Sequence, residues 1–422
     1  MVLKALTLAT LALSTTGCSL VFNNPASRGG TSPVGVGGVG NMNLEVPIEM
    51  LDAAGLGSGQ TTATLFNRTR TTLDTTDYDG TVSYEFEISG CNGDSAAVNV
   101  DLIDETGAVR ATTPLPSGAG SCFSPTSVSA RARTSWTPAA GAHSYRIRVG
   151  GTIAAPDYTA IVYSARILVR QIGASRTRIY IPLLAVTDPL GGPGNSEYTG
   201  TVPQFDETNE TVSLTPTQPE PDFFPIWRKS STVFAQLAAG TPWTLEAVLH
   251  STNDTAEVRL FNRTSGLPVT GALVTAGNVG VEGPGTHALV TASFADNAAQ
   301  FTDGDDFELR MNVQNAGGAG GCAGTQTCAT IHRAGLWVRL ENFTRGEVYY
   351  RLSKALPGMD TDDYSTAGRA LYDPSRFTLP QPRLETTAYF DNGGLGNLAF
   401  LAETGSTVDG SAGATLIGGS SW

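Results

Sequence analysis

The stretch ARILVR at residues 165–170 decides the fold, because it returns as AGLWVR at residues 334–339. A second stretch, TRIYI at residues 177–181, returns as GEVYY at residues 346–350, the same distance further along the chain. Two neighbouring strands therefore keep one connection length in both places. Self-similarity of this kind indicates a chain built from repeated modules.

Stretches upstream repeat in the same order. Residues 145–149 of the first copy and residues 307–311 of the second both alternate apolar with polar side chains, as a strand with one buried face does. With 49 Gly, 23 Pro and 15% charged residues, the composition also favours many short strands joined by turns. We therefore predict an all-β fold of tandem antiparallel β-sandwich modules.

A third copy begins near the end of the sequence, where residues 372–379 share the pattern of residues 66–73 and 227–234. This copy reaches Ser421 and Trp422, so we expect it to be incomplete. Two alternatives follow: the sequence is a fragment of a longer product, or another chain completes the fold by strand addition. The predicted organisation is a signal peptide at 1–18, a flexible tether at 19–43, modules at 44–188 and 189–356, and a partial module at 357–422.

These modules resemble the jelly-roll and β-sandwich units found along many bacterial surface proteins and in carbohydrate-binding modules. The resemblance covers most of the chain after residue 43. It rests on motifs that sandwiches share in general, so it implies a fold far more than an activity.

The N-terminus carries an export pattern. A single positive charge, Lys4, precedes a short apolar run at residues 5–13, which is typical of a signal peptide. The following segment, residues 14–18, resembles the bacterial lipobox, although Thr15 stands where that motif usually has Leu or Val. The resemblance implies acylation of Cys18 and anchoring in a bilayer, and Ser19 favours the outer membrane. The alternative is an ordinary secretory signal with an incidental cysteine.

Four further cysteines fall in two pairs, one in each complete copy. In an exported chain, paired cysteines usually form disulfides, and CxxC-type spacing with histidine partners, which a metal site would require, is absent. We predict disulfides between Cys91 and Cys122 and between Cys322 and Cys328.

Acidic loops suggest a structural calcium ion, because clustered carboxylates are ligands that Ca²⁺ prefers. None of the loops has EF-hand spacing, and the alternative is that the Asp side chains cap turns. A related cluster occurs at residues 303–306. The candidate ligands are Asp74, Asp77, Asp79, Asp360, Asp362 and Asp363.

Aromatic side chains suggest a second kind of site. Tyr78, Trp243 and Trp337 are candidates for a ring platform that binds a sugar face, and the alternative is that they pack in the core. Carboxylates for glycoside hydrolysis were sought at Glu85, Glu87, Asp101 and Asp104, but alternation along strands places these on solvent-facing positions.

No motif proposes a catalytic nucleophile, so we expect no enzymatic activity. The net charge of −13 argues against binding to nucleic acid. We predict a lipid-anchored bacterial surface protein, structural or adhesive, that contacts surface polysaccharide or a protein partner through its loops. The alternatives are a carbohydrate-active enzyme or accessory subunit, and a fibre subunit assembled by strand addition.

Overall fold

The computed structural model describes 19 segments of the chain: residues 13–24, 42–51, 54–56, 64–92, 98–115, 130–151, 160–184, 205–206, 211–212, 227–231, 233–251, 255–277, 287–314, 329–343, 346–351, 374–378, 381–390, 395–398 and 414–417. These segments form strands with three short 3₁₀ helices, so the all-β prediction is confirmed.

The elements follow one another in three series. They begin with β1 (Leu13–Asn24). The first module contains β2 (Met42–Leu51), β3 (Ala54–Leu56), β4 (Thr64–Asp74), η1 (Thr75–Asp77), β5 (Thr81–Asn92), β6 (Val98–Asp104), β7 (Val109–Leu115), β8 (Ala130–Trp136), β9 (Ala142–Gly151) and β10 (Ala160–Ala174). The second contains β11 (Arg176–Leu184), β12 (Phe205–Asp206), β13 (Thr211–Val212), β14 (Trp227–Arg228), η2 (Phe234–Gln236), β15 (Pro242–Ser251), β16 (Thr255–Asn262), β17 (Leu267–Ala276), β18 (Ala288–Ala295), β19 (Asp306–Gln314) and β20 (Ala329–Glu341). The third contains β21 (Gly346–Arg351), η3 (Pro374–Arg376), β22 (Gln381–Phe390), β23 (Leu395–Leu398) and β24 (Ala414–Ile417).

Each complete module is a sandwich of two sheets. In the first module the sheets have the strand orders β2-β10-β5-β8 and β4-β9-β6-β7. In the second, the order β11-β20-β15-β18 repeats the first sheet, and the order β14-β19-β16-β17 repeats β4-β9-β6-β7. The short strands β12 and β13 extend that second sheet beside β19. This order, in which most strands neighbouring in sequence lie in different sheets, is that of a jelly roll. The duplication predicted from the sequence is therefore present in the eight main strands of each complete module.

The core lies between the two sheets of each module. Alternate side chains of β5, β9 and β10 point into it, and Phe86, Ile147 and Ile167 have no solvent exposure. The alternation of apolar and polar residues in the sequence therefore corresponds to the burial of one face of each strand. In the described segments, no helix combines the length and apolar character needed to span a bilayer.

The module boundaries differ from the predicted ones. Strand β11 pairs with β20 from Arg176 opposite Glu341 onward, so it opens the second module instead of closing the first at residue 188. Likewise β21 pairs with β1 and belongs to the third module, not to the second. A short turn at Ser175 separates β10 from β11 and sends β11 into a different sheet.

The third module has an unexpected strand. Its sheet has the order β21-β1-β22, so β1 holds the position that β10 and β20 hold beside the first strands of their modules. Residues Ser19–Asn24 pair with β21, and Cys18–Asn23 pair with β22. The predicted tether at residues 19–43 therefore begins and ends in strands, since Met42 and Asn43 belong to β2. Its middle, residues 25–41, lies outside the described residues.

Candidate functional site: the charged junction between modules

The first strands of the three modules, β2, β11 and β21, contact one another pairwise. Their meeting place, with the sheet faces around it, is called the junction below. The face of the first module that points into it is charged, yet Glu45, Glu49, Glu87 and Arg166 are at most 1% exposed. Because buried charges are stable only when paired, the partners of these groups define the site.

Arg166 sits between two carboxylates contributed by its neighbouring strands. Its Nε lies 3.4 Å from Oε2 of Glu49 on β2 and 3.5 Å from Oε1 of Glu87 on β5. The guanidinium also lies 5.7 Å from the ring centroid of Tyr350 on β21. Cross-strand register thus sets the ion pairs, and the third module covers them.

The third module reaches this face through a tyrosine and an arginine. The hydroxyl of Tyr350 donates to Oε1 of Glu45 at 2.6 Å, and Arg376 of η3 bonds Glu45 and Glu85, the latter at 2.9 Å. Burial raises the pKa of Tyr350 well above its ordinary value, and the nearby Glu45 carboxylate raises it further. Burial alone would raise the pKa of Glu85, but the hydrogen bonds and positive charges of Arg376 and Arg133 together outweigh it, and the pKa falls below its usual range.

Arg333 of β20 joins the second module to the first. Its Nη1 lies 2.5 Å from Oε1 of Glu246 on β15, and its Nε donates to the backbone oxygen of Glu49 at 2.8 Å. Nη1 also donates to the backbone oxygen of Arg70 at 3.3 Å, and the guanidinium lies 4.5 Å from the ring centroid of Tyr180. One fully buried cation therefore contacts four other strands, two from each of the two modules.

A loop of the first module binds the start of the second through hydrogen bonds, and this contact is called the clasp below. Asp79 accepts backbone hydrogen bonds from Ser175 at 2.8 Å and from Arg176 at 2.7 Å, and a further one from the Ser175 hydroxyl. Burial alone would raise the pKa of Asp79, but these hydrogen bonds lower it below its ordinary value. Asp77, in the same loop, lies 3.1 Å from Nη1 of Arg178 on β11.

The third module clasps the first in a corresponding way. Thr378, which follows η3 as Asp79 follows η1, donates its backbone N–H to the backbone oxygen of Asn43 at 3.0 Å. Its hydroxyl accepts from the backbone N–H of Asn43 at 2.8 Å. In both contacts, the residues that follow a 3₁₀ helix of one module bind the start of the first strand of another module.

The predicted calcium ligands are placed as follows. Asp74 caps η1 by accepting from the backbone N–H of Thr76 at 2.9 Å, while Asp77 and Asp79 form the clasp. Asp360, Asp362 and Asp363 lie outside the described residues. Among the side chains that the structure describes, no group of three or more His, Cys, Asp or Glu is arranged to hold a metal ion. Calcium binding remains a prediction that this geometry does not support.

In the second module a lysine pairs with the acidic side chains between β18 and β19. The ammonium of Lys229 is 1% exposed and lies 2.9 Å from Oδ1 of Asp303 and 3.0 Å from Oδ1 of Asp296. The ring of Phe301 lies 4.1 Å from the same nitrogen. A cation of the chain itself therefore neutralises this loop, as Arg178 of β11 neutralises Asp77 in the first module.

The aromatic candidates lie in the core instead of on a platform. Tyr78 is 5% exposed, Trp337 is 1% exposed and Trp243 is not exposed at all. Trp243 donates to Asp296 at 2.7 Å and packs edge-on against Phe301. The ring-platform interpretation does not match this burial, because large apolar rings gain most from leaving water. Packing, the alternative, describes all three.

Of the remaining predicted site residues, Cys18 and Cys91 lie in β1 and β5, where the structure describes their backbone. Cys122, Cys322 and Cys328 lie outside the described residues. Acylation and both disulfides therefore stay predictions.

Sequence reasoning missed the junction. Glu87 was assigned to a solvent-facing strand position, and the structure buries it. A signal was present: Glu85 and Glu87 on one strand, with Glu45 and Glu49 on another, face a strand that carries Arg166. Ion pairs within this face, with hydrogen bonds from the other two modules, hold the modules together here.

Comparisons with known proteins give little beyond the fold. No protein-family model matches the sequence, and no curated protein matches it. Among solved structures, recombinant N-glycanase F (PNGase F) is 11% identical with a TM-score of 0.25, covering 72% of this chain and 99% of that one. The tandem CBM22 domains of Paenibacillus barcinonensis Xyn10C are 11% identical with a TM-score of 0.18, covering 72% and 99%. The PBSX exported protein XepA is 12% identical with a TM-score of 0.17, covering 75% and 93%. At such TM-scores these similarities carry no argument about function.

Proposed function

We propose that this protein is a lipid-anchored bacterial surface protein with a structural or adhesive role, in which jelly-roll modules are locked into one rigid body. The supporting observation is the junction, where Arg333 and Arg376 reach across module boundaries and cover the face on which Arg166 pairs with Glu49 and Glu87. Independent binding domains would not place buried charges at their boundaries, because separating the domains would leave those charges without their partners, which is costly.

Contact with a partner then falls to the loops at the ends of the sandwiches. Loops held by rigid sheets are where binding residues concentrate. The segments at 116–129, between β7 and β8, and at 315–328, between β19 and β20, contain three of the cysteines predicted to form disulfides. We propose surface polysaccharide as their ligand class.

Anchoring is tested by expressing the full chain in a lipoprotein-processing bacterium. Wild-type protein should incorporate labelled fatty acid and fractionate with membranes, whereas Cys18→Ser should do neither. Equal labelling of the two proteins would show that Cys18 is not the acylation site.

Adhesion is tested by binding of purified protein to immobilised surface polysaccharide. Replacing residues 116–121 and 123–129 with Gly and Ser, so that Cys122 is kept, should abolish binding and leave the thermal unfolding midpoint unchanged. The matched control changes the described turn at residues 137–141, which should leave binding intact. Binding that survives the first replacement would exclude that loop as the contact site.

A second candidate is assembly by strand addition, and β1 favours it. This strand fills a slot between β21 and β22, and the Gly-rich segment at residues 25–41 connects it to β2. A strand connected in this way can be exchanged with a second copy, as in domain swapping. The pairing of β1 with β21 and β22 would then join two molecules instead of completing the sheet within one.

Cross-linking separates the two arrangements. Leu20 is the register partner of Leu384, so Leu20→Cys with Leu384→Cys should form a disulfide on oxidation. A monomer with a cross-linked peptide pair indicates closure within one chain, and a ladder of covalent oligomers indicates exchange. Leu20→Cys with Glu385→Cys is the control, because a one-residue slip puts the side chains on opposite faces.

A further inference from the structure

Two histidines meet at one end of the second module. His332 lies on β20 and His287 immediately precedes β18, on opposite sides of β15. Their ring centroids are 4.5 Å apart with an interplanar angle of 78°. His287 is 3% exposed and His332 is 5% exposed. The chain has 4 His in all, so half of them share this position.

A β-bulge places His332 there. Ile331 is paired with Leu249 and Arg333 with Val248, so His332 is the extra residue on β20. Bulges re-aim a side chain and are frequent beside functional sites. The first module has a bulge at the corresponding place on β10, between Val162 and Ser164.

The duplicated bulge provides an internal comparison. Its extra residue in the first module is Tyr163, so the bulge forms without an imidazole at that position. The jelly roll itself therefore does not require the histidine pair. A third histidine, His250, holds a backbone position beside it, because it follows Leu249, whose register partners are Ala288 and Ile331.

The chemistry of two buried, adjacent imidazoles is that of a metal ligand pair. Neutral imidazole nitrogen is a preferred ligand of Zn²⁺, Cu²⁺ and Ni²⁺ and a poor one for Ca²⁺ or Mg²⁺. The nearest cation along the chain, Arg333, is neutralised by Glu246 at 2.5 Å, so it does not oppose a metal ion. A site with two protein ligands leaves coordination positions open for water or for a further donor.

We propose that His287 and His332 form a binding site for a divalent transition-metal ion, with Zn²⁺ as the probe. This proposal does not depend on the proposed function, because it concerns the interior of the second module. Purified full-length protein, stripped with EDTA, should bind one Zn²⁺ per chain in calorimetric titration. His287→Gln and His332→Gln should each weaken binding about tenfold or more.

His143 provides the matched control. It is a surface histidine bonded to Glu105 at 2.6 Å, far from the pair, so His143→Gln should leave Zn²⁺ affinity unchanged. His250→Gln tests the third position: a loss equal to that of His332→Gln adds it to the ligand set. Unchanged affinity in both His287→Gln and His332→Gln, or no Zn²⁺ bound by the wild type, would overturn the proposal.

A measurement on the wild type alone guards against variants that fail to fold. In ¹⁵N NMR spectra of the imidazoles, assigned through their bonds to the backbone, stoichiometric Zn²⁺ should shift the ring signals of His287 and His332 and leave the His143 signal in place. Shifts confined to His143 would show an exposed, adventitious site and refute the buried one.

Discussion

The ring of Tyr180 lies so close against the backbone of Gly335 that a Cβ atom on this glycine would meet Cε2 of the ring at 2.3 Å. Tyr180 is on β11 and Gly335 on β20, so the contact lies inside the first sheet of the second module. The same ring lies under the guanidinium of Arg333. The tyrosine is therefore held between a backbone and a buried cation at the junction.

Gly335→Ala should consequently destabilise the protein, because a methyl group cannot enter this space unless the ring shifts. Overpacking of this kind costs about 1–3 kcal/mol, measured as the change in the free energy of unfolding in urea. The double variant Gly335→Ala with Tyr180→Ala should lose less than the two single effects added together. Strict additivity would show that the glycine and the ring do not interact.

Arg333→Leu should lower the free energy of unfolding more than Gly335→Ala does. Removing the guanidinium leaves Glu246 charged and buried, which costs about 3–5 kcal/mol, whereas replacing both partners with apolar residues is often nearly neutral. We expect the double variant with Glu246→Leu to recover much of the loss. The control is Arg228→Leu, since Arg228 is 67% exposed and pairs with the 40% exposed Asp306. That surface pair should contribute less than about 1 kcal/mol.

Much of the fold could be predicted from sequence because strand alternation and duplication are local or repetitive signals. Residues 145–149 and 307–311 alternate visibly, and each lies in an inner strand of its sheet. The junction could not be predicted in the same way. Glu87 looks solvent-facing by alternation alone, but it pairs with Arg133 and Arg166 on the neighbouring strands, and Tyr350, more than 250 positions away in the sequence, lies against Arg166.

The roles of the junction residues could not be predicted for a related reason. Carboxylates in turns look alike in sequence whether they bind a metal ion, cap a helix or accept hydrogen bonds from another module. Asp79 could be assigned only once β11 was placed in the second module and Ser175 in the turn before it. The position of β1 was hidden because residues 13–18 also fit the end of a signal peptide and residues 19–24 the start of a tether, and periodicity does not reveal the partner of a strand.

Asp79→Ala should loosen the clasp between the first and second modules. Three hydrogen bonds to a carboxylate are lost, and a hydrogen bond to a charged group contributes about 1.5–3 kcal/mol. Asp79→Asn keeps one acceptor oxygen and should cost less. Limited proteolysis should show faster cleavage near Ser175 in Asp79→Ala than in the wild type. Equal cleavage rates would mean that the sheet contacts alone hold this boundary.

Acid should destabilise the protein through carboxylates whose pKa values fall on folding. Burial alone would raise the pKa of Asp104, but hydrogen bonds from Thr106, Arg110 and the backbone of Ala108 outweigh it and lower the pKa to about 2. An unfolded Asp has a pKa of about 3.9, so the stabilisation is complete above that pH and disappears as the pH falls toward 2. Asp104→Asn should therefore be less stable than the wild type at pH 7 and lose less stability between pH 5 and pH 2. Parallel pH profiles of the two proteins in chemical denaturation would contradict this assignment.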